Sequence, residues 1–415
     1  MKNVLKILIF VIAFLFTGCA HNLNESENNT FVPKGKYMVK NSVIPHDISF
    51  RSDESNERLN YDYLKAIWIS YIDLAPMLTG KTEQQFRDNF ETACKNVLKA
   101  KCNTVFVHVR PFGDAIYRSD IYPISYYLTG KYETIAEFDP LSIMTEIAHK
   151  NNISIHAWIN PLRLESEEHL KQIDDKFKIK QWYNAKNDYV CSVDADKHLW
   201  LNPGYEEVRK LIADGAQEIA RKYDVDGIHY DDYFYPTTQE KFDVKCFSAL
   251  SKGKELSVWR MENISSMVKM IYNAVKSVNK NIVVGVSPQG NLENNYNYMF
   301  ADVKKWSSET GYIDYICPQI YYGYNNSVKP FLKTLKDWTN VVTCKDVKLY
   351  VGLAVYKTIG NDSEFVRTTG IIAKQISDIA ALDECKGFVL YKYLDMFNDN
   401  QRSKTELDLI IKQLQ

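Results

Sequence analysis

Asp231 and Asp232 stand side by side in Asp226-Gly-Ile-His-Tyr-Asp-Asp-Tyr-Phe-Tyr-Pro236, where an apolar, strand-like run ends in two carboxylates, then aromatics, then a proline. A carboxylate at the exit of a buried strand costs free energy unless it is paired or used. Two neighbouring carboxyls also disfavour double ionisation, so one of the two pKa values rises and one proton stays on the pair near neutral pH. Glycosidic cleavage needs a protonated acid at the leaving oxygen and a group that stabilises positive charge at the anomeric carbon. The competing structural role is a pair that binds a cation or caps the next element. Two acids followed by an aromatic loop at a strand exit fit a site better than a cap.

Such acids need a scaffold that brings strand exits together. Eight short apolar runs, near 65–70, 104–110, 153–160, 226–231, 282–287, 313–319, 348–355 and 386–391, alternate with helix-like stretches near 83–100, 140–151, 205–222, 259–279, 299–309, 328–340, 370–382 and 403–414. Repeated strand–helix alternation implies parallel strands with right-handed crossovers, and eight units close a (β/α)8 TIM barrel, an α/β fold. Residues 161–204 and 232–258 read as long loops after the third and fourth strands. Thr82 and Gln85 have the spacing of a capping box, and Asp139-Pro140 offers an N-cap followed by proline at the first helical position.

A period of two separates the faces of each strand. Ile153, Ile155 and Ile159 fall on one face of the third strand, with Ser154, His156, Trp158 and Asn160 on the other. Val105, Val107 and Val109 likewise oppose Phe106, His108 and Arg110, and Ile228 and Tyr230 oppose His229 and Asp231. Tyr315, Cys317, Gln319 and Tyr321 share a face, as do Gly352, Ala354 and Tyr356. Projected onto one rim, the strand ends give a polar ring of His108, Arg110, Asn160, His229, Asp231, Asp232, Gln319 and Tyr321, with Tyr322 and Tyr391 beside it. His156 lies deeper and reads as a core histidine. The Arg110 guanidinium suits a sugar hydroxyl or carboxylate, or a pairing with Asp114. Trp200 and Trp182 either stack on sugar rings or pack the third loop down.

The first residues are basic, Ile7 to Phe16 are almost wholly apolar, and Thr17-Gly18-Cys19 follows. This is the layout of an export signal over 1–19, too short for a comfortable membrane span. Cys19 after Gly18 resembles a bacterial lipobox, with Phe16 in place of the usual leucine, so Cys19 is the expected lipidation site. Residues 20–60 are polar and read as a flexible tether, ahead of a barrel domain over 61–415. The 52 acidic and 51 basic residues nearly cancel, and no basic block points to nucleic acid. The eight cysteines show no zinc-like spacing, and neither a metal nor a cofactor is expected. Gly-rich phosphate loops, a Gly-x-Ser-x-Gly elbow and a His-Glu-x-x-His helix are missing from the sequence.

Several motifs in order, Ala66-Ile-Trp-Ile-Ser70, Val107-His-Val-Arg-Pro-Phe-Gly-Asp114, His156-Ala-Trp-Ile-Asn-Pro-Leu-Arg163, Trp200-Leu-Asn-Pro-Gly204, Gly227-Ile-His-Tyr-Asp-Asp-Tyr-Phe-Tyr-Pro236 and Pro318-Gln-Ile-Tyr-Tyr322, resemble glycosyl-hydrolase-like family 10 over most of 61–400. The resemblance implies a TIM-barrel glycosidase of the bacterial envelope acting on peptidoglycan glycan strands. It implies catalysis by Asp231 and Asp232, with Asp114, Arg163 and Trp200 joining the polar ring as substrate contacts. A fainter resemblance is to the family 18 chitinases, through Asp226, Gly227 and Asp231. Tyr233 stands where those enzymes carry their acidic glutamate, which implies that Asp232 takes that part while Asp231 orients a substrate 2-acetamido group. The seventh strand ends Leu353-Ala-Val-Tyr356 without a glutamate, consistent with substrate-assisted cleavage. Two other readings stay open: a hydrolase of another polysaccharide such as an α-glucan, and a non-catalytic glycan-binding lipoprotein.

Overall fold

A computed structural model describes residues 58–132, 136–194 and 196–415. The expected export signal over 1–19, the expected lipidation site Cys19 and the expected tether up to residue 57 lie outside the described residues. Residues 58–60, the last of the expected tether, are bonded to the barrel. Arg58 Nη1 lies 2.9 Å from Asp224 Oδ1, the Leu59 N–H donates to Asp226 Oδ1 at 2.6 Å, and Asn60 Nδ2 donates to the Asn281 carbonyl at 3.2 Å.

In chain order the strands are β1 (Leu64–Ile69), β2 (Thr104–Arg110), β3 (Ser154–Ile159), β4 (Arg163–Ser166), β5 (Val190–Ser192), β6 (His198–Leu201), β7 (Gly227–Tyr230), β8 (Val283–Val286), β9 (Tyr315–Ile316), β10 (Lys348–Ala354) and β11 (Cys385–Tyr391). Eight of them close a parallel barrel in the order β1-β11-β10-β9-β8-β7-β3-β2, with helices in the crossovers, the expected (β/α)8 architecture. β9 is shorter than the run at 313–319 suggested. Pro318 has no N–H for the ladder, and beyond it Gln319 makes only isolated bridges to Gln289 and Gly352. The segment 161–204 is more than a loop. It folds β4, β6 and β5 into a three-stranded antiparallel arm beside the barrel mouth. These strands are too short and too mixed in polarity for periodicity to reveal.

The two faces of the barrel strands separate as the alternation requires. Ile155, Ala157 and Ile159 join the shell between strands and helices, while Trp68, Phe106, Trp158 and Tyr315 pack in the interior. The helix Glu83–Lys99 opens with the Thr82/Gln85 capping box and buries Phe86, Phe90, Ala93, Cys94 and Val97, an amphipathic stripe. Each large apolar side chain so buried contributes about 1.5–3 kcal/mol before entropy is counted. Pro140 does open its helix, but Asp139 makes no cap bond. Its Oδ2 instead accepts from the Tyr223 hydroxyl at 2.7 Å. A further helix, Tyr71–Leu78, follows β1 directly through a second capping box, Ser70/Asp73, and carries Tyr71 and Ile72 to the rim.

Candidate active site

β7 ends at Tyr230, so Asp231 and Asp232 leave the barrel at its C-terminal rim. Both line a cleft of about 510 Å³, together with Trp68, Tyr71, His108, Trp158, Asn160, Arg163, Tyr233, Gln289, Gln319, Tyr321, Tyr322, Tyr356 and Tyr391. Asp231 is 4% exposed, and its Oδ2 accepts the Trp158 indole N–H at 3.1 Å. Its Oδ1 is buried with no hydrogen-bond donor. Asp232 is half-buried, and its Oδ1 accepts from Gln319 Nε2 at 3.2 Å, while the same amide donates to the Ser287 carbonyl at 3.1 Å. Burial, and then the charge of Asp232, hold the Asp231 carboxyl well above the usual carboxylate range. Burial raises Asp232 as well, opposed by its hydrogen bond from Gln319. Burial and the charge of its neighbour favour the protonated form of Asp231, and two adjacent carboxyls resist ionising together.

The next shell is aromatic and neutral. His108 stacks on Trp158 with ring centroids 3.8 Å apart and planes 8° from parallel. Asn160 Nδ2 donates to the Pro111 carbonyl at 3.0 Å, so its Oδ1 faces His108 Nε2 at 3.1 Å and the imidazole donates from that nitrogen. Burial and the nearby Arg163 charge push the His108 pKa well below its ordinary value. Beneath the cleft runs a directional chain. The Trp68 indole donates to His229 Nε2 at 3.1 Å, which leaves the His229 proton on Nδ1 for the Tyr315 hydroxyl at 3.0 Å. That hydroxyl donates to His156 Nδ1 at 2.9 Å. Burial holds His229 well below its ordinary pKa and brings His156 down to about 4, so both rings are neutral. Gly227 and Gly285 make room for these rings: a Cβ would lie 2.6 Å from His156 Nδ1 and 2.0 Å from Tyr315 Cζ.

Of the residues singled out in the sequence, the cleft gathers Asp231, Asp232, His108, Asn160, Arg163, Gln319, Tyr321 and Tyr322. Others sit elsewhere, among them Trp182, which is buried edge-on against Tyr189 at 4.9 Å. His229 lies under Trp68 as part of the buried chain. Trp200 packs the arm down: it is 5% exposed, donates from Nε1 to Asp196 Oδ2 at 2.9 Å and faces Tyr233 at 6.0 Å. Asp114 is fully buried and accepts from the Phe112 N–H at 2.8 Å; burial and then the Glu165 charge push its carboxyl up to about 7. Arg110 points away from the cleft. The β2–β3 register shifts between His108 and Arg110, so the expected alternation breaks. Its guanidinium lies over the Tyr122 ring at 4.4 Å, against Gly215 on the helix Glu206–Lys222. Trp68, Tyr71 and Tyr233 were not expected as site residues. Trp68 and Tyr233 lie within the quoted motifs, whereas Tyr71 arrives on a helix that periodicity did not reveal.

A family model described as Glycosyl hydrolase-like 10 matches residues 63–367. Glycosyl hydrolase YngK of Bacillus subtilis (strain 168) is 32% identical over 322 residues, 72% of this chain. The chain spans only 62% of that relative's own length. Glycosyl hydrolase DigH of Escherichia coli (strain K12) is 29% identical over 325 residues, covering 70% of this chain and 72% of DigH. Among solved structures, the glycoside hydrolase domain of PgaB (BpsB) from Bordetella bronchiseptica aligns with a TM-score of 0.55 at 10% identity, over 84% of this chain and 99% of that domain. Alpha-L-fucosidase isoenzyme 2 from Paenibacillus thiaminolyticus aligns with a TM-score of 0.52 at 14% identity, over 85% of this chain and 49% of that enzyme. These likenesses show the fold, a barrel found in glycoside hydrolases. The family match runs from β1 past β10 and includes both aspartates, and the chain therefore belongs to the Glycosyl hydrolase-like 10 family.

Proposed function

We propose that this protein is a lipid-anchored glycoside hydrolase of the bacterial envelope that cleaves the N-acetylated glycan strands of the cell wall. The observation that carries the reading is the adjacent pair of buried Asp231 and half-buried Asp232 in the cleft, each held by its own donor, Trp158 or Gln319. The open, aromatic-lined cleft suits a polyhydroxylated chain. The basic–apolar leader and Cys19 favour export and lipid attachment, which would place the enzyme on a membrane facing its polymer. The near-neutral composition offers nothing to nucleic acid.

In this reading the shared proton moves on binding. The N–H of a 2-acetamido group supplies the donor that Asp231 Oδ1 lacks, favouring ionised Asp231 and leaving the proton on Asp232. Asp232 gives that proton to the bridging oxygen as the glycosidic C–O bond breaks. The acetamido oxygen closes on the anomeric carbon. Water then opens this ring and returns a proton to Asp232.

The test is product release from purified sacculi and from amylose, followed by mass spectrometry, with Asp232→Asn as control. Release from sacculi, lowered about 100-fold or more in the variant, is expected. Cleavage of amylose alone would replace the substrate assignment. Binding without turnover, unaffected by Asp231→Asn, would make the protein a glycan-binding module.

A further inference from the structure

Resting on the reading of the cleft as a glycan site, we propose that Arg163 selects an anionic glycan by taking a carboxylate carried on one of its sugars. Arg163 opens β4, the first strand of the arm beside the barrel mouth, where it pairs with Trp200 of β6. Its guanidinium lies between two aromatic faces, 4.4 Å from the Phe112 ring centroid and 4.6 Å from that of Tyr233. Cation–π contact with two rings engages the charge of the guanidinium without using its N–H donors. Arg163 lines the cleft, yet among the described residues none of its N–H groups is hydrogen-bonded or ion-paired. Asp231 and Asp232 feel its charge, but Trp158 and Gln319, and no N–H of Arg163, donate side-chain hydrogen bonds to them at 3.1 and 3.2 Å.

The same chain shows what completes such an arrangement. Arg260 lies over Tyr235 at 5.1 Å and Phe300 at 5.0 Å, also between two rings. Its fork is filled by Asp243, with Nε to Oδ2 at 2.8 Å and Nη2 to Oδ1 at 2.6 Å. Arg260 is fully buried and carries its own carboxylate. Arg163 lines the open cleft without one, and a guanidinium can take a carboxylate through two parallel N–H···O bonds. The raised proton affinity of Asp231 lessens the acidic charge that the cleft presents to an incoming anion.

Two sources of sugar carboxylate share this chemistry: an acid ether-linked to an amino sugar, and a hexuronic acid. The experiment uses one N-acetylated oligosaccharide in three forms: with a free ether-linked carboxylate, with that carboxylate reduced to the alcohol, and with a hexuronate in its place. Binding is measured by calorimetry and cleavage by kcat/KM, on the wild-type chain and on Arg163→Gln and Arg163→Lys, each checked for folding by thermal unfolding. The wild type is expected to favour a carboxylated form over the alcohol by about 10- to 100-fold, the range of a hydrogen bond to a charged group. The form preferred identifies the source. The preference should fall to near unity in Arg163→Gln. It should be only partly kept in Arg163→Lys, which retains charge without the fork. Equal handling of acid and alcohol by the wild type, or a preference that survives Arg163→Gln, overturns the proposal. A binding preference without cleavage would sink the hydrolytic reading and leave Arg163 as the anion reader. Cleavage without preference would do the reverse.

Discussion

Trp158→Phe isolates one hydrogen bond at the centre of the proposed chemistry. The indole N–H reaches Asp231 Oδ2 at 3.1 Å, and phenylalanine keeps a ring against His108 while removing that donor. A hydrogen bond to an ionised group contributes about 1.5–3 kcal/mol, or roughly 1–2 pKa units. The separation exceeds the ~2.7–2.9 Å of the strongest charge-assisted bonds, which places this one near the lower end, at about one unit. The donor favours ionised Asp231, so its loss raises the proton affinity of that carboxyl. In the proposed mechanism the enzyme–substrate complex carries ionised Asp231 and protonated Asp232, and lowering the pH inactivates it by adding a proton to Asp231. The acid limb of the kcat–pH profile should therefore move up by about one unit. The assay is kcat on solubilised glycan across pH, with thermal unfolding to show that the variant folds. An acid limb that stays in place in a folded variant would refute the link between Trp158 and the Asp231 charge.

Two stability measurements probe the same region. The folded-state pKa of Asp231 lies above its unfolded value, so the folded protein binds more protons between the two values and loses stability as pH rises through that window. Asp231→Asn should therefore raise the urea midpoint at pH 8, with the advantage vanishing below about pH 3, where both forms of the wild type are protonated. A variant less stable than wild type at pH 8 would contradict the raised pKa. Tyr315→Phe removes the hydroxyl that joins His229 Nδ1 to His156 Nδ1 and leaves both buried nitrogens without partners. A loss of about 1–3 kcal/mol is expected by urea unfolding, and an unchanged midpoint would show that the chain contributes nothing net.

Much of the barrel was legible because strand alternation is local. The period of two assigns His108, Trp158, His229 and Asp231 to inward faces, and in the structure all four are buried at or just beneath the cleft. The same rule failed at Arg110, where one shift in register turned the side chain towards Gly215 and Tyr122. The arm over 161–204 was invisible because its strands are too short to carry a period, so what Arg163 faces could not be read from its neighbours. Trp200 sits inside a quoted motif yet packs the arm, because its indole finds Asp196 instead of the cleft. Motif membership does not separate packing from contact.

The sequence alone determined the eight strand–helix units and the delivery of twin acids at the end of one strand, since each depends only on residues near one another in the chain. The tertiary structure decided which polar groups face one another. It set Trp158 and Gln319 on opposite acids, fixed the tautomers of His229 and His108 through partners far away in the chain, and clamped Arg163 between Phe112 and Tyr233. Proton affinity and charge recognition depend on burial and on neighbours brought together by barrel closure, and neither quantity exists until the chain has folded.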